Sequence, residues 1–251
     1  MKKIKTYFTN LPKGVKVIVG INILVYILTI LICFFLGINI KDYLGFYPTY
    51  SENFNLLQLI TCPFIHSITS FLHILLNMLF FLIFAPSVEN RFGTKFFIFV
   101  YFICSFLGCI FVNHVYYENK NTINNNILKV GINPKDIKIN DGYVSEEYLE
   151  TLNHKQKFVI MDYDYVISKS YGASSAVFGF IIIYILLNLT NFKKILFNVL
   201  GLYLIYVTIN GILINDEILN GSHYAHFGGV VGGLIFYSYM KIKKDIVSDI
   251  L

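Results

Sequence analysis

Apolar residues in this chain fall in runs, with the polar ones gathered between them. Runs long enough to cross a hydrocarbon core of roughly 30 Å, at about 1.5 Å per helical residue, lie at Val15–Leu36, Phe96–Val112 and Ile195–Ile214. Three more, Phe71–Ala85, Ala173–Leu189 and Tyr224–Met240, are shorter or carry polar side chains. Taken in chain order as segments 1 to 6, they predict an all-α, polytopic bundle of six transmembrane helices with a long polar insertion between segments 3 and 4. The expected organisation is a basic cytoplasmic N-terminus over 1–14, segments 1–3 within 15–112, the insertion over 113–170, segments 4–6 within 171–240 and a cytoplasmic tail over 241–251. The insertion is rich in Asn and reads as a partly disordered extracytoplasmic stretch, with short strands expected at Gly142–Val144 and Phe158–Ile160.

Composition agrees with a membrane setting. The chain is 56% hydrophobic and 14% charged, with a mean hydropathy of +0.63, so a soluble domain of this length would expose large apolar areas. The start Met1-Lys2-Lys3-Ile4-Lys5 has the basic character of a signal peptide. The apolar run behind it is too long for an h-region of roughly 7 to 15 residues, and no Ala-x-Ala site follows, which predicts a retained anchor. Cys33, Cys62, Cys104 and Cys109 show neither a disulfide-type nor a metal-type spacing and read as packing residues.

The basic residues predict an orientation. Lys2, Lys3, Lys5, Lys13 and Lys16 lie before or at the start of segment 1, Arg91 and Lys95 follow segment 2, Lys193 and Lys194 follow segment 4, and Lys241, Lys243 and Lys244 follow segment 6. The opposite short connections hold Lys41 against Asp42, Glu52, Asp216 and Glu217. By the positive-inside rule both termini are cytoplasmic, and the net charge of +5 calls for no nucleic acid.

Segments 2, 4 and 6 then run in one direction, and each carries polar residues near its outer end. Counted from the inner ends at Ser87, Leu189 and Met240, His73, Ser174 and His226 all stand roughly 21 to 23 Å above the inner boundary. Polar groups at such depth are costly and tend to face a bundle interior or a water-filled cavity. A serine and a histidine at one depth, joined by His73 and Asn77, suggest hydrolysis inside a bilayer. Gly229 and Gly233 form a Gly-x-x-x-Gly face beside His226, and segment 4 offers Gly172, Ala173, Ala176 and Gly179. Small residues of this kind let two helices approach until a serine oxygen reaches an imidazole nitrogen.

Four stretches carry a resemblance to a known family. They are His73-Ile74-Leu75-Leu76-Asn77-Met78, Glu89-Asn90-Arg91-Phe92-Gly93, Gly172–Gly179 and Ala225-His226-Phe227-Gly228-Gly229 with Gly233. In this order the chain resembles the rhomboid intramembrane serine proteases. The resemblance implies Ser174 as nucleophile and His226 as general base, without a carboxylate. It implies His73, Asn77 and the Ser174 backbone N–H as oxyanion donors, Phe178 packed on the His226 ring, and Gly172, Gly229 and Gly233 as structural residues near the site. It implies no cofactor and no metal; the substrates would be transmembrane segments of other membrane proteins, cut near the outer leaflet. The membrane would be the plasma membrane of a bacterium or another cellular membrane, and the oligomeric state stays open.

Departures from the family pattern are Ser175 in place of a glycine after the nucleophile, Leu57-Gln58 in place of Trp-Arg, a longer spacing from His66 to His73, Ala85 in place of a common glycine, and the length of the insertion. Alternatives are a catalytically inactive rhomboid-like protein that binds membrane clients, a small transporter, and a metalloprotease. The chain has no His-Glu-x-x-His, so a metal would rest on His223 and His226 alone.

Overall fold

The computed structural model describes residues 9–140, 143–167, 170, 172–191, 194–214 and 221–250. The expected contributions of Lys2, Lys3, Lys5, Gly142, Lys193, Asp216 and Glu217 lie outside the described residues. The bundle helices are α1 (Lys13–Leu36), α4 (Phe71–Phe92), α5 (Thr94–Lys129), α8 (Ser174–Asn188), α9 (Ile195–Ile214) and α10 (Gly221–Ile250). Two short helices, α2 (Lys41–Leu44) and α3 (Gln58–Thr61), sit in the connection from α1 to α4; α6 (Glu146–Glu150) and α7 (His154–Ile167) sit in the insertion. All six apolar segments are helical. Helices α1, α4, α5 and α9 are long and apolar enough to cross a membrane, α8 is a shorter apolar helix, and α10 completes the bundle with a polar C-terminal end.

Burial separates the helices into a centre and a rim. Only 17% of the apolar window is buried in α1 and in α9, against 39% in α4 and 44% in α5, so the first two present most of their surface outward. Helix α8 is the axis. Nearly every residue from Ser175 to Ile185 is buried, as expected of a helix apolar on all sides. Its core partners include a ring cluster in which Phe180 stacks on Phe97 at 5.1 Å and meets Phe81 edge-on at 5.4 Å.

The insertion differs from its sequence reading. Helix α5 runs through position 113 without a break and ends only at Lys129. Its C-terminal half, with Val112, Tyr116, Ile123 and Ile127 inward, packs on Ile132, Ile137, Val144 and Ile160 to form a second apolar core. The stretch Phe158–Ile160 is not a strand; it lies in α7, where Ile160 is fully buried. A strand at Tyr143–Val144 does occur, paired antiparallel with Ile139–Asn140. Physically, the helical spacing of apolar residues on α5 outweighs the polar Asn run between them, and the segment folds as a cap.

On the opposite end of the bundle, Glu89 ties α4 to the start of α1. Its buried carboxylate accepts the Gly14 and Val15 N–H groups, both at 2.7 Å, and the Thr94 hydroxyl at 2.7 Å. These are charge-assisted bonds to a helix N-terminus that has no side-chain cap of its own. Glu89→Gln is therefore expected to lower the stability of the folded chain by about 1–3 kcal/mol, read as a drop in thermal midpoint in detergent.

Candidate active site

Helix α10 is built to touch two neighbours with its backbone. Gly228 and Gly232 face α5: a methyl group at 228 would lie 2.6 Å from the Leu107 carbonyl oxygen and 2.8 Å from Gly108 Cα, and one at 232 would lie 3.1 Å from Cys104 Cα. Gly229 and Gly233 face α8: a methyl group at 229 would lie 2.7 Å from the Ser175 carbonyl carbon, and one at 233 would lie 2.5 Å from the Gly179 oxygen. No side chain fits at 228, 229 or 233 without displacing backbone, and at 232 the contact would be tight. The contact at Ser175 and Gly229 brings the first turn of α8 to the turn of α10 that carries His226.

The turn before Ser174 is fixed from the connection between α1 and α4. Ser170 and Phe46 exchange both backbone hydrogen bonds at 2.8 Å, and the Gly172 N–H donates to the Cys62 carbonyl at 2.9 Å. Gly172 has φ +121°, a region that L side chains rarely adopt, and a Cβ there would lie 3.0 Å from His73 Nε2. The first bond inside α8 runs from the Val177 N–H to the Ala173 carbonyl at 3.0 Å, leaving the Ser174 N–H outside the helical ladder.

Ser174, His226, His73 and Asn77 line one cavity of about 510 Å³. Its side walls come from α4 (Leu72, Leu76, Phe80) and α9 (Leu204, Val207, Thr208). The His226 ring stacks on Phe178 with centroids 4.2 Å apart and planes 10° from parallel. Its Nδ1 is buried and has no hydrogen-bond partner among the described residues, so the stack, not a carboxylate, orients the ring. His223 meets His226 edge-on at 6.3 Å, and among the described residues no group of three or more His, Cys, Asp or Glu is arranged to hold a metal ion.

His73 is oriented by residues that the sequence reading did not single out as functional. The Ser67 N–H donates to His73 Nδ1 at 3.3 Å, which places the proton of the neutral ring on Nε2, the nitrogen facing Gly172. The fully buried His66 ring packs against His73 at 5.1 Å and is linked through Nδ1 to the Phe64 carbonyl at 3.3 Å. Burial holds the His66 imidazole down to about 3, with His73 adding to the effect, so His66 stays neutral at physiological pH. Asn77 donates one amide hydrogen to the His73 carbonyl at 2.9 Å, leaving the second for the cavity.

Two of the departures, at Ser175 and Gln58, have local explanations. The Ser175 side chain fits because residue 108 is glycine: a methyl group there would lie 2.8 Å from Ser175 Cβ. Gln58 ties the connection together as donor and acceptor at once. Its oxygen accepts the Tyr47 and Asn55 N–H groups, each at 3.2 Å, and its nitrogen donates to the carbonyls of Asn53 at 2.8 Å and Tyr43 at 3.2 Å.

A membrane-type helical bundle with polar side chains converging on one cavity defines the class of protein. The family model described as Rhomboid domain matches residues 53–243, which covers every residue that lines the cavity, and the chain belongs to that family. Comparisons with curated proteins and with solved structures returned no match. As a rhomboid family member it is an integral protein of a lipid bilayer.

The glycine contacts make a sharp prediction. Gly229→Val, which must displace the Ser175 backbone, is expected to cost about 3 kcal/mol or more, whereas Gly20→Ala, with no atom within 4 Å, should leave the thermal midpoint unchanged or slightly raised.

Proposed function

We propose that this chain is an intramembrane serine endopeptidase that cuts transmembrane or membrane-proximal segments of other membrane proteins. The reading is carried by one observation: Ser174 and His226 line the same cavity on helices in backbone contact, with the imidazole held by Phe178. An extended substrate segment reaches Ser174 between α4 and α9. Ser174 Oγ attacks the scissile carbonyl while His226 takes its proton. The oxyanion that develops is met by the Ser174 N–H, the His73 Nε2–H and the free Asn77 amide hydrogen, donors already oriented before the charge appears. His226 returns the proton to the departing amine, and water then releases the acyl group by the same path in reverse.

The distribution of lysines supports cytoplasmic termini, and with them a cavity that opens toward the outer leaflet and a cap on the outer face. The short α8 supports the same view. At about 1.5 Å per residue its 15 residues span about 22 Å, so it begins below the surface of a hydrocarbon core of roughly 30 Å.

The decisive measurement is cleavage of a reporter transmembrane substrate in liposomes. Ser174→Ala and His226→Ala should each lower turnover at least about a thousandfold, and the double variant should be no worse, because the pair acts as a unit. Ser175→Gly should retain activity. Wild-type protein that binds reporter segments but cuts none would favour the inactive client-binding reading instead.

The oxyanion donors have a different signature. His73→Ala and Asn77→Ala should each lower kcat by about a hundred- to a thousandfold with little change in KM, since their bonds strengthen only as charge develops. A rise in KM at constant kcat would reassign both to packing.

A further inference from the structure

Two of the four cysteines, Cys62 and Cys109, stand apart from the rest. Cys104 is enclosed between Gly179 and Gly232, and Cys33 lies on α1 toward its outer end. Cys62 and Cys109, by contrast, face each other with sulfurs 3.6 Å apart, and both line the cavity that holds Ser174. Both are free thiols. They come from different parts of the fold, Cys62 from the connection after α3 and Cys109 from the middle of α5, 47 positions later.

Each thiol adjoins a residue that shapes the start of α8 or the turn before it. The Cys62 carbonyl accepts the Gly172 N–H, and Gly108, next to Cys109, is the residue against which Ser175 packs. A covalent bond of about 2.0 Å requires the sulfurs to close by roughly 1.6 Å, within reach of side-chain rotation. The hydrogen bond shared with Cys109, and then burial, push the Cys62 thiol above its ordinary value, so Cys62 rests as a thiol until an activated disulfide reaches it.

We infer that Cys62 and Cys109 form a redox site opening on the cavity, which takes an organic disulfide and becomes an intramolecular protein disulfide. One thiol attacks the incoming S–S bond, releasing one thiol and leaving a mixed disulfide. The partner cysteine then attacks the protein sulfur of that bond, releasing the second thiol. The protein loses two electrons and two protons, and the organic disulfide gains them as two thiols. The cross-link staples the connection holding Gly172 to the helix that packs on Ser175. The chemistry of the pair is independent of the proposed protease activity, and only its exposure to an oxidising compartment rests on the orientation proposed above.

The test uses the full-length protein in detergent with 2,2′-dithiodipyridine, a small uncharged disulfide. In a Cys33→Ala, Cys104→Ala background, two equivalents of pyridinethione should be released per chain, and peptide mapping should find residue 62 joined to residue 109. The thermal midpoint should rise by roughly 5 °C or more, because the bond closes a long loop, and dithiothreitol should reverse the rise. Cys62→Ser in that background should stop at one equivalent with a stable mixed disulfide and no shift. Mapping of the dithiodipyridine-treated wild type, with all four cysteines present, gives the same answer if the double alanine variant fails to fold. Two stable mixed disulfides, dimers linked between chains, or thiols that remain unreacted in the folded protein would overturn the inference.

Discussion

Everything at the site depends on α10 touching two helices at once without side chains between them. Adjacent glycines in a helix point about 100° apart, so the pairs Gly228–Gly229 and Gly232–Gly233 give one helix two bare faces. One lies on α5 and the other on α8. In a bilayer, where burial of apolar side chains brings little between helices, such backbone contact supplies van der Waals packing and fixes register. The register matters because Ser174 and His226 sit within a turn of the contact. Sliding either helix by one residue would move one of them off the common wall.

The second constraint comes from the connection between α1 and α4, which reaches across the bundle to hold the chain before Ser174. Gln58 satisfies four backbone groups of that connection, His66 and Ser67 fix the ring of His73, and Phe46 and Cys62 hold Ser170 and Gly172. His73 and the turn before Ser174 thus share one support. A neutral amide here does the tying that a charged side chain could also do, and it needs no counter-ion in a poorly solvated region.

Much of this was legible in the chain. Apolar runs gave the six bundle helices because a bilayer demands length and continuity, and Ser174, His226, His73 and Asn77 stood out because polar groups at depth are expensive. Gly229 and Gly233 were visible as a spacing, but that Gly228 and Gly232 serve a different neighbour was not, since periodicity does not say which helix lies on which side. The cap was misread for a related reason. The inward residues in the C-terminal half of α5, from Val112 to Ile127, keep helical spacing among asparagines, and the polar average concealed the stripe. His66 and Gln58 were hidden because irregular connections have no period from which to infer contacts.

The unbroken α5 has a mechanical consequence. At 36 residues it is a rod of about 54 Å, with the apolar core of the cap at one end and Gly108, pressed against Gly228, near its middle. Bare backbone on backbone leaves no flexible side chain to absorb motion between the rod and α10. Cap and site are therefore parts of one lever: torque applied to the cap end of α5 is carried to α10 at Gly228, one position from the Gly229 contact with Ser175.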